Sequence, residues 1–247
     1  MIKKIINIMP QSIINILFQS KYYIDSKTIH IENIENNKII TIENLSLETK
    51  KILHSLLKDM CKGSYKKFYF LPVAIIDISK GYDHYLQLLS SNGRSKIKRA
   101  VKKNIVCKEF EWNSYLDDIY DINTSADSRQ GKEMAEEYRQ YPKTLEVVEK
   151  DDFQVRHIGA FYNEKLVGYI ELYTYGNFCM TNRLLGHKEY LNRYIMNAMF
   201  AFCIEYLEEN KTTYLNYLNM HNKENSSLAQ FKARLAFQAY SLKLLGK

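Results

Sequence analysis

Between residues 153 and 209 the chain follows a pattern that few folds can satisfy. Phe153 to Phe161, Lys165 to Tyr175 and Phe178 to Leu185 are three apolar runs rich in β-branched and aromatic residues. Only Tyr162-Asn163-Glu164 and Gly176-Asn177 separate them, and these residue types favour tight turns. The runs therefore predict an antiparallel three-strand meander. From Glu189 to Glu209, Ile195, Met199, Phe202, Cys203, Tyr206 and Leu207 recur at helical spacing. A long helix with one apolar face must bury that face, and the sheet beside it is the available partner.

The flanking segments extend the same alternation. Ile105 to Trp112 reads as a strand, Ser114 to Ser125 as a helix with Leu116, Ile119, Tyr120 and Ile122 on one side, and a short helix runs through Tyr138. After the long helix come a strand from Thr213 to Met220, a helix from Ser226 to Leu235 and a last strand from Phe237 to Leu244. Residues 1–90 read as an accessory region. It holds a hairpin (Thr28 to Ile34 and Lys38 to Ile42 around Glu35-Asn36-Asn37) and a Ser46-capped helix carrying Ile52, Leu53, Leu56 and Leu57. The apolar strand Phe68 to Ile78 contains Pro72, which predicts an edge or bulged position. Residues 91–247 form the second expected unit.

At the junction of the two lies a concentrated charge. Arg94, Lys96, Lys98, Arg99, Lys102 and Lys103 fall within ten residues that contain no acid, against a formal net charge of +7 for the whole chain. The abundance of Ile, Asn, Lys and Tyr is what an AT-rich genome imposes, so clustering is more informative than total charge. A helix here would pack through Ile97 and Val101 and present a broad basic face to an anionic partner. The cysteines Cys61, Cys107, Cys179 and Cys203 include no CxxC pair, which predicts reduced thiols and no metal site. Ile5 to Phe18 superficially resembles a signal peptide. It is interrupted by Asn7, Pro10, Gln11, Ser12 and Asn15, and no run is apolar enough to span a membrane, so a cytoplasmic placement is expected.

From Asn104 the order is strand, helix, helix, meander, long helix, strand, helix, strand. This order resembles the GNAT (GCN5-related N-acyltransferase) fold, and Gly159 to Tyr169, with its Leu166-Val167-Gly168, is similar to the hairpin of that fold. The basic helix Arg94-x-x-Ile97-x-Arg99-Ala100-x-Lys102-x-Asn104 and the segment Ser227-Leu228-x-x-Phe231-Lys232 with Phe237 are similar to segments of the Fem-like branch. The resemblance implies an α/β (α+β) fold: a mixed central sheet with an antiparallel meander flanked by helices, plus an N-terminal extension. It also implies acyl or aminoacyl transfer to an amine. In ordinary members, a glycine-rich loop before the long helix binds the pyrophosphate of acyl-CoA. Here that position reads Leu185-Gly186-His187-Lys188-Glu189-Tyr190-Leu191-Asn192-Arg193, with one glycine. Acyl-CoA, an acyl carrier protein or an aminoacyl-tRNA therefore all remain candidate donors, with no metal required.

Amine acylation needs a proton acceptor, stabilisation of an oxyanion and a proton for the leaving group. Glu171, between Ile170 and Leu172, is the candidate acceptor, and the resemblance points to Lys232 for the oxyanion or a donor phosphate. Tyr217, or Tyr240, would supply the proton. Ser128-Arg129-Gln130-Gly131-Lys132 sets two cations around a glycine, a pattern that can grip phosphate or carboxylate. Asn182, Gly186, Asn192, Arg193 and, on the basic helix, Arg94 and Arg99 complete the expected binding residues. The acceptor expected from these charges is an anionic or phosphorylated small molecule, glycan precursor or nucleotide-linked amine. The competing expectation is a nucleic-acid-associated or non-catalytic protein of the same fold, using the basic face on phosphate backbone.

Overall fold

The computed structural model describes residues 30–33, 39–42, 45–62, 71–129, 132–146, 150–220 and 227–243. The N-terminal apolar segment, the Glu35–Asn37 turn, Gln130, Gly131 and His221 lie outside them. The meander forms as the sequence requires. Strands β7 (Phe153–Tyr162), β8 (Lys165–Tyr175) and β9 (Phe178–Gly186) are antiparallel neighbours. Asn163 and Glu164, both at positive φ, close the first hairpin in the two-residue turn that matches strand twist.

Strand β4 (Ile105–Glu109) adds beside β7, and β10 (Tyr214–Asn219) lies parallel to β9. On the far side of β10 the order continues with β3 (Leu71–Asp77), β11 (Gln238–Lys243), β1 (His30–Asn33) and β2 (Ile39–Thr41). The result is one nine-stranded sheet, β2-β1-β11-β3-β10-β9-β8-β7-β4. β3 thus joins the same sheet as the later strands. It is an interior strand rather than the edge strand that Pro72 allowed, and its ladder with β10 is irregular between Asn216 and Asn219, as the bulged alternative expects. The proline is tolerated because it pairs only toward β11, at Ser241, beyond the last β10 pair at Val73.

Alternation along β8 divides the core between the two sheet faces. Ile170 and Leu172 bury against Ile195, Met199, Cys203 and Ile204 of the long helix α6 (Ile195–Glu209). On that face lie also α2 (Gly81–Leu88) and the basic helix α3 (Ser91–Lys102). The opposite face is covered in two parts. Tyr173 and Tyr175 pack with Leu53, Leu56 and Leu57 of α1 (Leu47–Lys62), whereas Tyr169 and Leu166 pack with Ile119 and Ile122 of α4 (Leu116–Thr124), with Tyr138 of the short α5 (Glu136–Arg139) beside them.

Three expectations need correction. The basic helix does not bury Val101, which is 65% exposed. Gly93 and Ala100 are its buried residues, with Ile97 partly buried between them: Ala100 and Ile97 pack into the core shared with α6, while Gly93 lies beside Leu89 and the Arg234 carbonyl. The long helix starts at Ile195 rather than Glu189. Tyr194 sits in the left-handed region (φ 63) and separates α6 from a 3₁₀ turn over Lys188–Arg193. The first strand stops at Glu109, and Trp112–Ser114 form a 3₁₀ turn.

The start of α6 rests on a cross-strand glycine pair, Gly168↔Gly186. A Cβ on Gly186 would stand 2.8 Å from Ile195 Cδ1 and 3.0 Å from Leu191 Cδ2. Gly186→Ala should therefore destabilise the protein by about 1–3 kcal/mol, the usual cost of overpacking a tight core. Denaturant unfolding at equilibrium checks this, and an unchanged midpoint would show that α6 yields without cost.

Candidate active site

Two β-bulges assemble a buried polar cluster on the face shared by α1 and α4. Between Ala160 and Phe161 the β7–β8 register shifts by one residue, and this places His157 directly opposite Glu171. Between Ile170 and Leu172 the β8–β9 register shifts again, so that Asn182 and Arg183 together oppose Glu171. Glu171 is 1% exposed. His157 Nε2 lies 3.4 Å from its Oε1, while Asn182 Nδ2 donates to Oε2 and Arg183 Nε stands 3.8 Å from Oε2. Asn182 also donates to the Tyr173 hydroxyl at 3.1 Å.

Burial acts to raise the Glu171 carboxyl, but the His157 hydrogen bond and the Arg183 and His157 charges outweigh it, so the group lies below its ordinary range. Glu171 is therefore an ionised, fully partnered carboxylate, not a solvated strand residue. Burial likewise acts to lower the Arg183 guanidinium, and Glu171 reverses the direction. Burial pushes the Tyr173 hydroxyl well above its ordinary value, so it stays protonated.

His157 opens onto a small solvent-connected cleft, whose lining includes Phe110, Trp112, Glu109, Glu111, Glu146 and Arg156. The Trp112 ring lies 4.9 Å from the His157 ring, and the Arg183 guanidinium is 5.7 Å from the centre of the same indole. Trp112 Nε1 donates to Lys143 O at 3.0 Å, and Asn113 exchanges two hydrogen bonds with Leu145. These bonds fix the loop that borders the cleft.

Next to this cluster the sheet divides. The parallel β9–β10 ladder consists of Tyr214↔Phe178, Leu215↔Cys179 and Asn216↔Met180, and it ends there although β9 continues to Gly186. Leu218 adopts positive φ (48°), and the Asn216 side chain bonds Ala74 O, Leu218 O and Leu218 N, turning β10 away. Lys232, on α7 (Ser227–Arg234), is 2% exposed and donates to Tyr217 O at 2.7 Å and Asn219 O at 2.6 Å. Its ammonium also stands 4.2 Å from the centre of the Tyr217 ring. Burial lowers its pKa to about 8 and raises that of Tyr217 to about 12. Thr181 Oγ1 on β9 and Asn219 Oδ1 on β10 are buried without a partner among the described residues.

The expected residues thus fall into three groups. Glu171 and Asn182 lie on the β8–β9 side of the division, with Lys232 and Tyr217 on the β10 side. Arg129, Gly186, Asn192, Arg193 and Arg99 gather around the end of the sheet that carries Ile105, Tyr162 and Gly186. Arg94 is elsewhere: its Nη1 donates to Leu86 O at 3.2 Å and to Leu89 O, closing the C-terminus of α2. Arg129 does not reach outward as its loop position suggested. Nη1 donates to Gly186 O at 2.8 Å and Nη2 to Ile122 O and Ser125 Oγ, so it braces α4 against β9. Lys132 pairs with Arg129 in a two-residue ladder, β5 (Ser128–Arg129) with β6 (Lys132–Glu133).

At that end Arg193 lies 4.0 Å over the Tyr162 ring and donates to Lys103 O, while Lys103 donates to Asn192 O at 3.0 Å. Arg99 hydrogen-bonds the Tyr194 phenol and, with Lys103 and Lys96, holds it below its ordinary range. Four amides of the turn before α6 are engaged within the protein. Lys188 N donates to Ser125 Oγ, Glu189 N to His187 Nδ1, Tyr190 N to His187 O and Tyr194 N to Leu191 O. No role was expected of Trp112 and no partner was visible for His157; the bulges, invisible in a strand pattern, bring His157 and Arg183 to Glu171. Among the described residues no cluster fit for a metal ion occurs, and no helix is long and apolar enough to cross a membrane.

Against this geometry, the profile of the Acetyltransferase (GNAT) family matches residues 116–237. Among solved structures, FemX is similar at a TM-score of 0.55 and 11% identity, over 80% of this chain and 69% of that one. L-PGS from Bacillus licheniformis is similar at a TM-score of 0.51 and 13% identity, over 95% and 90% respectively. At these identities the likeness is one of fold. No curated protein matches the sequence.

A carboxyl that ionises more easily in the folded protein binds fewer protons there than in the unfolded chain. It stabilises above its unfolded value, near 4.5, and the benefit is lost as pH falls through the lower folded value. Glu171→Gln should cost about 1–3 kcal/mol near neutral pH, by leaving Arg183 without its charge partner, and less as acid protonates the wild-type group. Denaturation of both proteins across that range checks the sign, and a cost that grows in acid would contradict it.

Proposed function

We propose, on the premise that the chain belongs to the GNAT superfamily and has Fem-like relatives, that it is an N-acyltransferase. It would move an acyl or aminoacyl group from a thioester or ester donor to an amine. The observation that carries this reading is the division of β9 from β10 after Met180 and Asn216, with chemically suited groups on both sides. Thr181 Oγ1 and Asn219 Oδ1, buried without partners, are the groups a donor chain lying between the strands would satisfy.

The roles divide by position. The donor's reactive carbonyl lies in the gap, and the amine approaches through the cleft beside Trp112. Lys232 has three N–H groups; two hold the β10 carbonyls in place, leaving one for an oxyanion. The Tyr217 phenol, pushed up to about 12, keeps its proton at neutral pH and can give it to the leaving group. The basic end of the sheet faces the donor's anionic part. With four loop amides engaged internally, donors held by a carrier protein or tRNA fit better than free acyl-CoA, because their binding does not depend on a pyrophosphate cradle. An acceptor that is itself anionic would keep its charge toward that basic end and offer only its amine to the cleft. We place the acyltransferase unit in residues 91–247, with β3 completing its sheet.

The test is transfer of a labelled acyl group from acetyl-CoA, an acyl carrier protein or an aminoacyl-tRNA to a panel of primary amines. We expect product from a macromolecular donor, and a fall in kcat of about 10²-fold in Tyr217→Phe with unfolding unchanged. No transfer from any of the three donors would overturn the reading.

A further inference from the structure

The buried carboxylate that the sequence singled out is poorly suited to take a proton. Its oxygens are already occupied by His157, Asn182 and Arg183, and protonation would forfeit those contacts. Its neighbour is better placed. His157 directs Nε2 at Glu171, lines the cleft together with Trp112, and has a side chain 11% exposed. Among the described residues its Nδ1 has no hydrogen-bond partner.

We propose that His157 is the proton acceptor of this site, that Glu171 is its positioning residue, and that the cleft admits the acceptor as a cationic primary amine. This inference rests on the acyltransferase reading and assigns the acceptor side of the same site. An imidazole whose Nε2–H points at a carboxylate is held in the tautomer that leaves Nδ1 bare, as a proton acceptor requires. The charged and titratable groups facing the imidazole fit a cation. Glu171 from β8 and Arg183 from β9 lie on its face of the sheet and Glu111 and Glu146 border the cleft from its loops, whereas Glu109 and Arg156 reach the cleft's edge from the opposite face, beside Tyr206 of α6. Arg156 Nε pairs with Glu109 at 3.3 Å and Arg183 is drawn to Glu171, so Glu111 and Glu146 remain to receive an ammonium beside the Trp112 ring.

The transfer balances as follows. The ammonium gives one proton to His157 Nδ1, which returns it to solvent through the open cleft. The freed nitrogen lone pair forms a bond to the donor's carbonyl carbon, and the carbonyl electron pair moves to oxygen. Collapse of that adduct breaks the C–S or C–O bond to the carrier. The second proton leaving nitrogen balances the one that the departing sulfur or oxygen receives.

Two measurements decide the matter. The first is nitrogen NMR of protein labelled at histidine, with His157→Gln used to assign the signal. The neutral His157 ring should carry its proton on Nε2, and Glu171→Gln should abolish that preference. A ring protonated on Nδ1, or one indifferent to Glu171→Gln, overturns the pairing whether or not activity is seen. The second uses the transfer assay with primary amines. His157→Gln should lower kcat by about 10²-fold or more, and free imidazole should restore part of the activity to His157→Gly. Activity in His157→Gln within twofold of wild type overturns the catalytic assignment. A wild-type chain inactive with every donor overturns the acyltransferase reading, and the catalytic assignment with it, while the NMR result still decides the His157–Glu171 pairing.

Discussion

Parallel strands that stop pairing partway along a sheet leave backbone groups that must find other partners. Here β9 and β10 share three residue pairs and then part, and the surrounding structure is arranged to hold them apart. The Asn216 side chain and the positive φ of Leu218 turn β10, while Lys232 collects the carbonyls of Tyr217 and Asn219. An ammonium with no carboxylate partner among the described residues is costly to bury, and burial lowers its pKa. That cost is reasonable only if the charge serves the separation, which makes Lys232 a strut of the site as well as a candidate for its chemistry.

The second constraint is the pair of bulges in the meander. Each inserts one residue and thereby brings side chains to a common face that a regular ladder would separate. Without the shift at Ala160 and Phe161, continuing the Tyr162↔Lys165 pairing would set His157 opposite Ile170, and Glu171 would face the other way. The cluster of His157, Glu171, Asn182 and Arg183 therefore depends on backbone irregularity. Its level along the sheet matches that of the division, since Leu172↔Thr181 is the pair just beyond Met180. Acceptor cleft, buried carboxylate and gap lie in one row across the strands.

Much of the architecture was legible in the sequence. Turn residues bounded the three meander strands, and apolar spacing located the helices, because both signals come from short-range burial. Glu171, Asn182 and Tyr217 were singled out by residue type and position and Lys232 by the resemblance, and they lie on the two sides of the division. Other features depended on longer-range geometry. Arg129 looked like a ligand-binding loop residue, but its guanidinium meets Gly186, Ile122 and Ser125, a contact that spacing alone does not encode. Val101 kept helical spacing with Ile97 yet faces solvent, because the buried face of the helix runs through Gly93, Ile97 and Ala100 instead. His157 and Trp112 carried no motif at all. The basic helix, read first as a surface for an anionic partner, contributes Lys103 and Arg99 to ties with Asn192 and Tyr194 at the start of α6.

All of these roles presuppose that a donor occupies the division between β9 and β10. The most direct measurement is a crystal structure of the full chain with an acyl-pantetheine analogue in which carbon replaces the thioester sulfur. The account predicts that the analogue lies between β9 and β10 beyond Met180 and Asn216, with its carbonyl between Asn182 and Tyr217. An analogue bound elsewhere, or a β9–β10 ladder that continues unbroken past Thr181, would contradict it.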